Sequence, residues 1–256
     1  MSKLRLFEES PRRIFAIGDL HGCPDELEVL LTYLQQEEGV SDEDLIIFIG
    51  DYIDRGPNSK AVVDRLLSFA RGLENVVFLR GNHEDMLLDF LGFGGNMGHS
   101  YLYNGGVETF GSYGISSELP PEEIAHKLPR DHFSFYLNLD SYVLVDDFVF
   151  AHAGLNPLRD LKAQLDYDLF WIRDEFISNI HSFQKTVVFG HTPHQDVLFH
   201  VPFKIGIDTG LVFGNKLTCI ELNYKHLLQV SRGQSEVEVK PFPEIVLKGL
   251  GVASSS

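Results

Sequence analysis

Arg12-Arg13-Ile14-Phe15-Ala16-Ile17-Gly18-Asp19-Leu20-His21-Gly22 sets the pattern that decides the fold of this chain. Ile14 to Ile17 reads as a short strand buried on both faces, and the loop after it carries a carboxylate and an imidazole between glycines. Leu45-Ile46-Ile47-Phe48-Ile49 repeats the pattern, running into Gly50-Asp51-Tyr52-Ile53-Asp54-Arg55-Gly56. So does Val76-Val77-Phe78-Leu79, which runs into Arg80-Gly81-Asn82-His83-Glu84. Farther on, Phe148-Val149-Phe150-Ala151 delivers His152-Ala153-Gly154, and Thr186-Val187-Val188-Phe189 delivers Gly190-His191-Thr192-Pro193. Amphipathic helices alternate with the first strands. Pro24 to Gln36 places Leu27, Leu30, Leu31 and Leu34 on one face, and Pro57 to Arg71 does the same with Val62, Val63, Leu66, Leu67 and Phe69. Pro24 and Pro57 are read as first-turn prolines. After Asp208-Thr209-Gly210, Lys216 to Leu222 and Lys225 to Val230 read as strands of a second sheet joined by an Asn223-Tyr224 turn. The expected fold is α/β: a central β-sandwich of two mixed sheets flanked by helices.

In open α/β sheets, ligands sit beyond the carboxyl ends of the strands, so these loop ends can converge on one cleft. Mixed carboxylate, imidazole and amide donors suit Mn, Fe or Zn, whereas a thiolate site would need cysteines in those loops. The expectation is two divalent metal ions, Mn2+ foremost. Asp19, His21 and Asp51 would hold one, and Asp51, Asn82, His152 and His191 the other, with Asp51 as the bridge because a carboxylate has two oxygens to share. Metals about 3.5–4 Å apart can activate a water and clamp a phosphate for in-line attack. The nucleophile is then solvent.

Taken in order, Gly18-Asp19-Leu20-His21-Gly22, Gly50 to Gly56, Arg80 to Glu84, His152-Ala153-Gly154, Trp171-Ile172-Arg173 and Gly190 to Pro193 resemble the PPP-type phosphoprotein phosphatases, in their short bacterial form, of the calcineurin-like metallophosphoesterase superfamily. The resemblance spans roughly Ile14 to Leu222. It implies the same six metal ligands, with His83 as the acid that protonates the leaving oxygen and Asp54 orienting it. Arg55 and Arg173 match the family's phosphate-holding arginines, whose forked guanidinium groups fit phosphate oxygens, and Asn82 would also face the phosphate. The implied activity is that of a phosphomonoesterase acting on phosphoserine or phosphothreonine in proteins and tolerating small aryl phosphates. A dinucleoside polyphosphate hydrolase of the same fold, cleaving for instance diadenosine tetraphosphate, is the alternative. A non-catalytic phosphopeptide-binding protein is the alternative of another class; it requires a missing ligand or acid, and none is missing.

Each residue has a plainer reading beside the functional one. A single Asp19, Asp51 or His152 could be a turn residue, though joint occurrence at five strand ends argues otherwise. Arg55 could pair with Asp54 at a helix start, and Arg173 with Asp174 or Glu175. His99, His194 and His200 are read as solvated, and Glu84 as an acid at the positive end of a helix running Glu84 to Leu91. Phe93 to Tyr113 combines six glycines with Tyr101 and Tyr103. It reads as a mobile segment, either a substrate lid or a structural Ω-type loop. With the helix near Pro121 to Leu128, it would form a cap over 92–130.

Composition bounds the rest. With 256 residues, 44% of them hydrophobic, the chain can bury the core of one domain, 1–256. No apolar run could span a bilayer and no signal-like segment opens the chain, so a cytoplasmic protein is expected. Cys23 and Cys219 are too few for a disulfide framework. The net charge of −16, from 37 acidic and 21 basic residues, disfavours nucleic acid and anionic membranes as partners. It also repels phosphorylated proteins and small phosphate esters at long range, so attraction must come from the metals and the two arginines. A flexible tail is expected at 250–256.

Overall fold

Alternation along the apolar strands decides which layer each side chain builds. The computed structural model describes residues 3–250, so the expected tail lies outside the described residues beyond Leu250. One sheet contains β2 (Ile14–Ile17), β3 (Leu45–Phe48), β4 (Val76–Phe78), β10 (Lys216–Glu221), β11 (His226–Ser231) and β12 (Glu238–Pro241). The other contains β1 (Leu4–Leu6), β5 (Tyr142–Val145), β6 (Phe148–Ala151), β7 (Thr186–Phe189), β8 (Leu198–His200) and β9 (Lys204–Gly206). Their orders are β12-β11-β10-β2-β3-β4 and β1-β5-β6-β7-β9-β8. Both are mixed: β2, β3 and β4 run parallel beside antiparallel β10 and β11, while β6, β7 and β9 run parallel between antiparallel β5 and β8.

Ile14 and Ala16 of β2, Leu45 and Ile47 of β3, and Phe150 and Val188 of the facing sheet fill the layer between the sheets. Their neighbours Phe15, Ile17, Ile46 and Phe48 point the other way, into a core covered by α1 (Pro24–Gln36), α2 (Ser59–Ala70) and α3 (Asn82–Phe90). On the far side, Val187 and Phe189 pack with α7 (Asp166–Trp171) and α8 (Asp174–Ile177). Continuous apolar runs therefore mean burial on both faces. The expected sandwich of two mixed sheets flanked by helices is the observed one.

Several boundaries move for local reasons. Pro24 does occupy the first turn of α1. Pro57 does not open α2, because the Asn58 side chain accepts the Ala61 N–H at 3.0 Å and caps the helix one residue later. α3 starts at Asn82 rather than Glu84, since the Glu84 carboxylate reaches back to the Gly81 N–H. The hairpin turn is longer than read: Glu221 pairs with His226, and the Glu221 carboxylate accepts the N–H groups of Asn223 and Tyr224 at 3.1 and 2.5 Å.

Phe93 to Tyr113, read as a glycine-rich segment, holds regular turns and a short helix. It folds into short turns at Gly98–Ser100 and Leu102–Asn104 and then α4 (Gly106–Ser112), followed by α5 (Pro121–Lys127) and α6 (Arg130–Leu137). Tyr101 is buried against Phe90 and Phe110. Gly105, at φ +109°, lies so near that a Cβ would come within 2.5 Å of the Arg55 backbone nitrogen. Glycine here permits close approach to the site. No helix among the described residues is long and apolar enough to cross a membrane.

Candidate metal centre

The loops after β2, β3, β4, β6 and β7 meet at one edge of the sandwich, around Asp51. Its two oxygens face different partners: Oδ2 stands 3.4 Å from His21 Nε2, and Oδ1 stands 3.4 Å from His152 Nε2. Asn82 Oδ1 lies 2.7 Å from His191 Nδ1 and 3.1 Å from His152 Nε2. Ligand-type atoms of His21, Asp51 and His83 lie within 4.8 Å of one another, as do those of Asp51, His152 and His191. Asp19 accepts the His191 N–H through Oδ2 at 3.1 Å, while its buried Oδ1 has no partner. His191 Nε2 is likewise buried and unpartnered.

These donors are in states that suit a cation. His21 Nδ1 is held by the Ile53 carbonyl at 2.9 Å and His152 Nδ1 by the Ile49 carbonyl at 2.8 Å, which makes Nε2 of each ring the nitrogen that carries the lone pair. Burial lowers the imidazoles, His21 to about 3 and His152 and His191 below their ordinary value, so the rings are neutral as ligands must be. Burial also works against the charge on Asp51, and the attraction of His152, His83 and His21 outweighs it and holds the carboxyl well below the usual range. These rings exert that attraction only when protonated, so at neutral pH the centre is without it. Asp19 moves the opposite way, raised by burial and by the carboxylates of Asp208 and Asp51. Buried carboxylates crowded this closely lack compensating positive charge, and the residues present fit two divalent cations.

His83 is fixed by a second network. Its Nδ1 donates to Asp54 Oδ2 at 2.6 Å, and Asp54 Oδ1 accepts from the Tyr101 hydroxyl at 3.0 Å and the Thr109 hydroxyl at 2.6 Å. The ring stands edge-on to that of His21, centroids 4.7 Å apart. Arg55 makes no ion pair with Asp54 among the described residues; its Nη1 donates to His21 Nε2 at 3.0 Å. Nor does exposed Arg173 pair with Asp174 or Glu175. Its Nη1 donates to the Thr192 hydroxyl at 3.3 Å, next to His191. The plainer ion-pair readings of both arginines are therefore not what the structure contains.

Backbone strain concentrates at the same edge. Nine non-glycine residues among those described have positive φ, and five are His21 (41°), Asp51 (51°), Asp54 (73°), Arg55 (68°) and His191 (63°). Such conformations cost on the order of 1–3 kcal/mol each and persist only where surroundings impose them. Glu84 is one imposer, accepting the N–H groups of Asp51 at 3.0 Å, Tyr52 at 2.8 Å and Gly81 at 3.0 Å. It is structural, as read, but what it shapes is the Asp51 loop. Gly81 permits this fit, since a Cβ there would sit 2.1 Å from Asp51 Oδ1. Gly81→Ala is expected to weaken Mn binding about 10–100-fold, the usual cost of disturbing a ligand's support. Calorimetric titration checks this, and wild-type affinity would remove Gly81 from that role.

Residues 12–230 match the calcineurin-like phosphoesterase family model. The chain belongs to the calcineurin-like phosphoesterase family. It is a metal-dependent phosphoesterase, a hydrolase, and its relatives narrow the comparison. It is 30% identical over 253 residues to the asymmetrical bis(5'-nucleosyl)-tetraphosphatase PrpE of Oceanobacillus iheyensis, covering 89% of this chain and 96% of that protein. The protein of the same name from Anoxybacillus flavithermus is 27% identical over 237 residues, covering 84% and 91%. Among solved structures, one provisionally assigned as a diadenosine tetraphosphatase superposes with a TM-score of 0.68 at 21% identity, covering 91% of this chain and 99% of that one, which shows the shared fold.

Sequence reading missed three buried residues at or beside this phosphoesterase site. Tyr101 and Thr109 hold Asp54 from a segment about fifty positions away, and nothing local announces them. Asp208 had a usable signal, since Asp208-Thr209-Gly210 follows β9 as the other site loops follow their strands. Its buried carboxyl is pushed up to about 6 by burial, with the charge of Asp51 adding and those of Arg55 and Arg173 opposing. Of the histidines set aside, His99 and His200 are exposed, whereas His194 is half-buried with its Nε2 shut off from solvent.

Proposed function

We propose that this phosphoesterase hydrolyses dinucleoside tetraphosphates, in preference to the phosphoserine or phosphothreonine proteins first expected. The likeness that carries this reading is the 30% identity extending over 96% of a protein named an asymmetrical bis(5'-nucleosyl)-tetraphosphatase. Asp19, His21 and Asp51 would hold one cation, and Asp51, Asn82, His152 and His191 the other, with Mn2+ as the working metal and 92–130 as the cap of a single catalytic domain. Two bound divalent cations supply a solvent nucleophile at neutral pH and neutralise phosphate charge.

The chain's own residues do the rest. Arg55 and Arg173 grip phosphate oxygens with forked donors, Asn82 faces the same phosphate, and a phosphate held in this way is presented for in-line attack. As the oxygen of a water that has already lost one proton to solvent bonds to phosphorus and the bridging P–O bond breaks, His83 gives its proton to the departing oxygen. Asp54 keeps His83 in the tautomer and orientation for that transfer. One observation favours protein phosphatase activity as a second reading: the fully braced Asp54–His83 pair suits an alkoxide leaving group, which needs a proton more than a phosphate does.

The two readings separate when metal is stripped by chelator, Mn is restored, and kcat/KM is compared on diadenosine tetraphosphate and a phosphothreonine peptide. The dinucleotide is expected to be the better substrate, giving one mononucleotide and one nucleoside triphosphate. A better peptide would reinstate the serine/threonine phosphatase, and no metal-dependent turnover of either would leave a phosphopeptide-binding protein.

A further inference from the structure

The segment that braces Asp54 also presents a ring to solvent beside the site. Tyr103 is 94% exposed, two residues from fully buried Tyr101. With Leu102 and Val107 it lines an open cleft of about 410 Å3, whose polar groups include Asn104, Glu108 and Arg55. Arg55 joins this cleft to the metal centre, because its Nη1 lies 3.0 Å from His21 Nε2. Its guanidinium also stands 5.7 Å over the ring of Phe213, which is 66% exposed.

This platform is held firmly. Tyr101 is tied to Asp54 at 3.0 Å, the Asn104 side chain donates to the Ser100 carbonyl at 2.9 Å, and Gly105 packs on the Arg55 backbone. A ring displayed from a fixed turn binds a flat partner without first having to order the loop. A nucleobase presents an apolar face and an edge of amino donors, which Tyr103 and the Glu108 carboxylate complement, while its phosphate chain leads towards Arg55.

We infer that the Tyr103 cleft is a subsite for a nucleobase of the substrate, with Tyr103 stacking on the base and Arg55 marking where the phosphate chain enters the metal centre. This rests on the proposed dinucleotide activity. Base stacking on an aromatic side chain is lost on alanine substitution at a cost of roughly ten-fold or more in affinity.

The test compares Mn-loaded wild type, Tyr103→Ala and Tyr103→Phe on diadenosine tetraphosphate and on phosphoserine, which has no ring to stack. The ratio of kcat/KM, dinucleotide over phosphoserine, is expected to fall about ten-fold or more in Tyr103→Ala, mainly through KM, and to be kept in Tyr103→Phe. If wild type cleaves the dinucleotide and Tyr103→Ala leaves the ratio unchanged, the subsite is overturned while the activity stands. An equal fall on both substrates would mean that Tyr103 acts through Arg55, and it too overturns the subsite. If wild type turns over phosphoserine only, the dinucleotide reading fails and the subsite with it.

Discussion

Asp51→Asn is expected to lose at least one of two bound metals per chain and to slow turnover by roughly 10³-fold, the equivalent of several kcal/mol of metal-ion stabilisation. The reason is geometric. Asp51 directs Oδ2 at His21 and Oδ1 at His152, each at 3.4 Å, so it is the residue through which the two clusters of donors touch. An amide offers one oxygen and no charge, and cannot serve both. Asparagine tolerates the positive φ of 51° at this position and can still accept the His83 N–H, so the fold should survive. An unchanged melting temperature of the metal-free protein would confirm that. Two retained metals with most of the rate would refute the bridge.

His83→Asn separates proton donation from metal binding. Ring nitrogens of His83 approach His21 and Asp51 closely enough for either role. As a general acid, its loss costs about 10²–10⁴-fold on a substrate with a poor leaving group. On diadenosine tetraphosphate the loss should be smaller, because a departing phosphate is stable as an anion whereas a serine alkoxide is not. Metal content should stay at the wild-type value. Equal slowing on both substrates, with a metal missing, would make His83 a ligand and remove it from the acid role. Asp54→Asn should follow His83→Asn in the same direction, since the 2.6 Å contact is what orients the ring.

Strand ends were legible in the sequence because burial on both faces writes an unbroken apolar run, as in Ile14 to Ile17 and Thr186 to Phe189. The polar residues just beyond such runs had few structural reasons to be Asp, His and Asn together. Short strands such as β1, β8 and β12 escaped notice, being three or four residues long and partly exposed at sheet edges. The support of Asp54 by Tyr101 and Thr109 was hidden for another reason. A glycine-rich stretch reads as mobile until its partners are known, and close approach to Arg55 leaves the same signature as flexibility. Arg173 was ambiguous in sequence because acids follow it; only the fold shows its guanidinium turned towards Thr192.

Substrate choice was the least legible property, since any phosphate ester can enter two cations and two arginines. The motifs alone led towards protein phosphatases. Likeness over 89% of this chain to a protein named a bis(5'-nucleosyl)-tetraphosphatase is what turns the proposal towards nucleotides.

The centre itself is tested most directly by anomalous diffraction from Mn-soaked crystals. Two peaks about 3.5–4 Å apart, both within bonding distance of Asp51, with Asp19 and His21 at one and Asn82, His152 and His191 at the other, are the expected result. A single peak, or two that do not share Asp51, would contradict it.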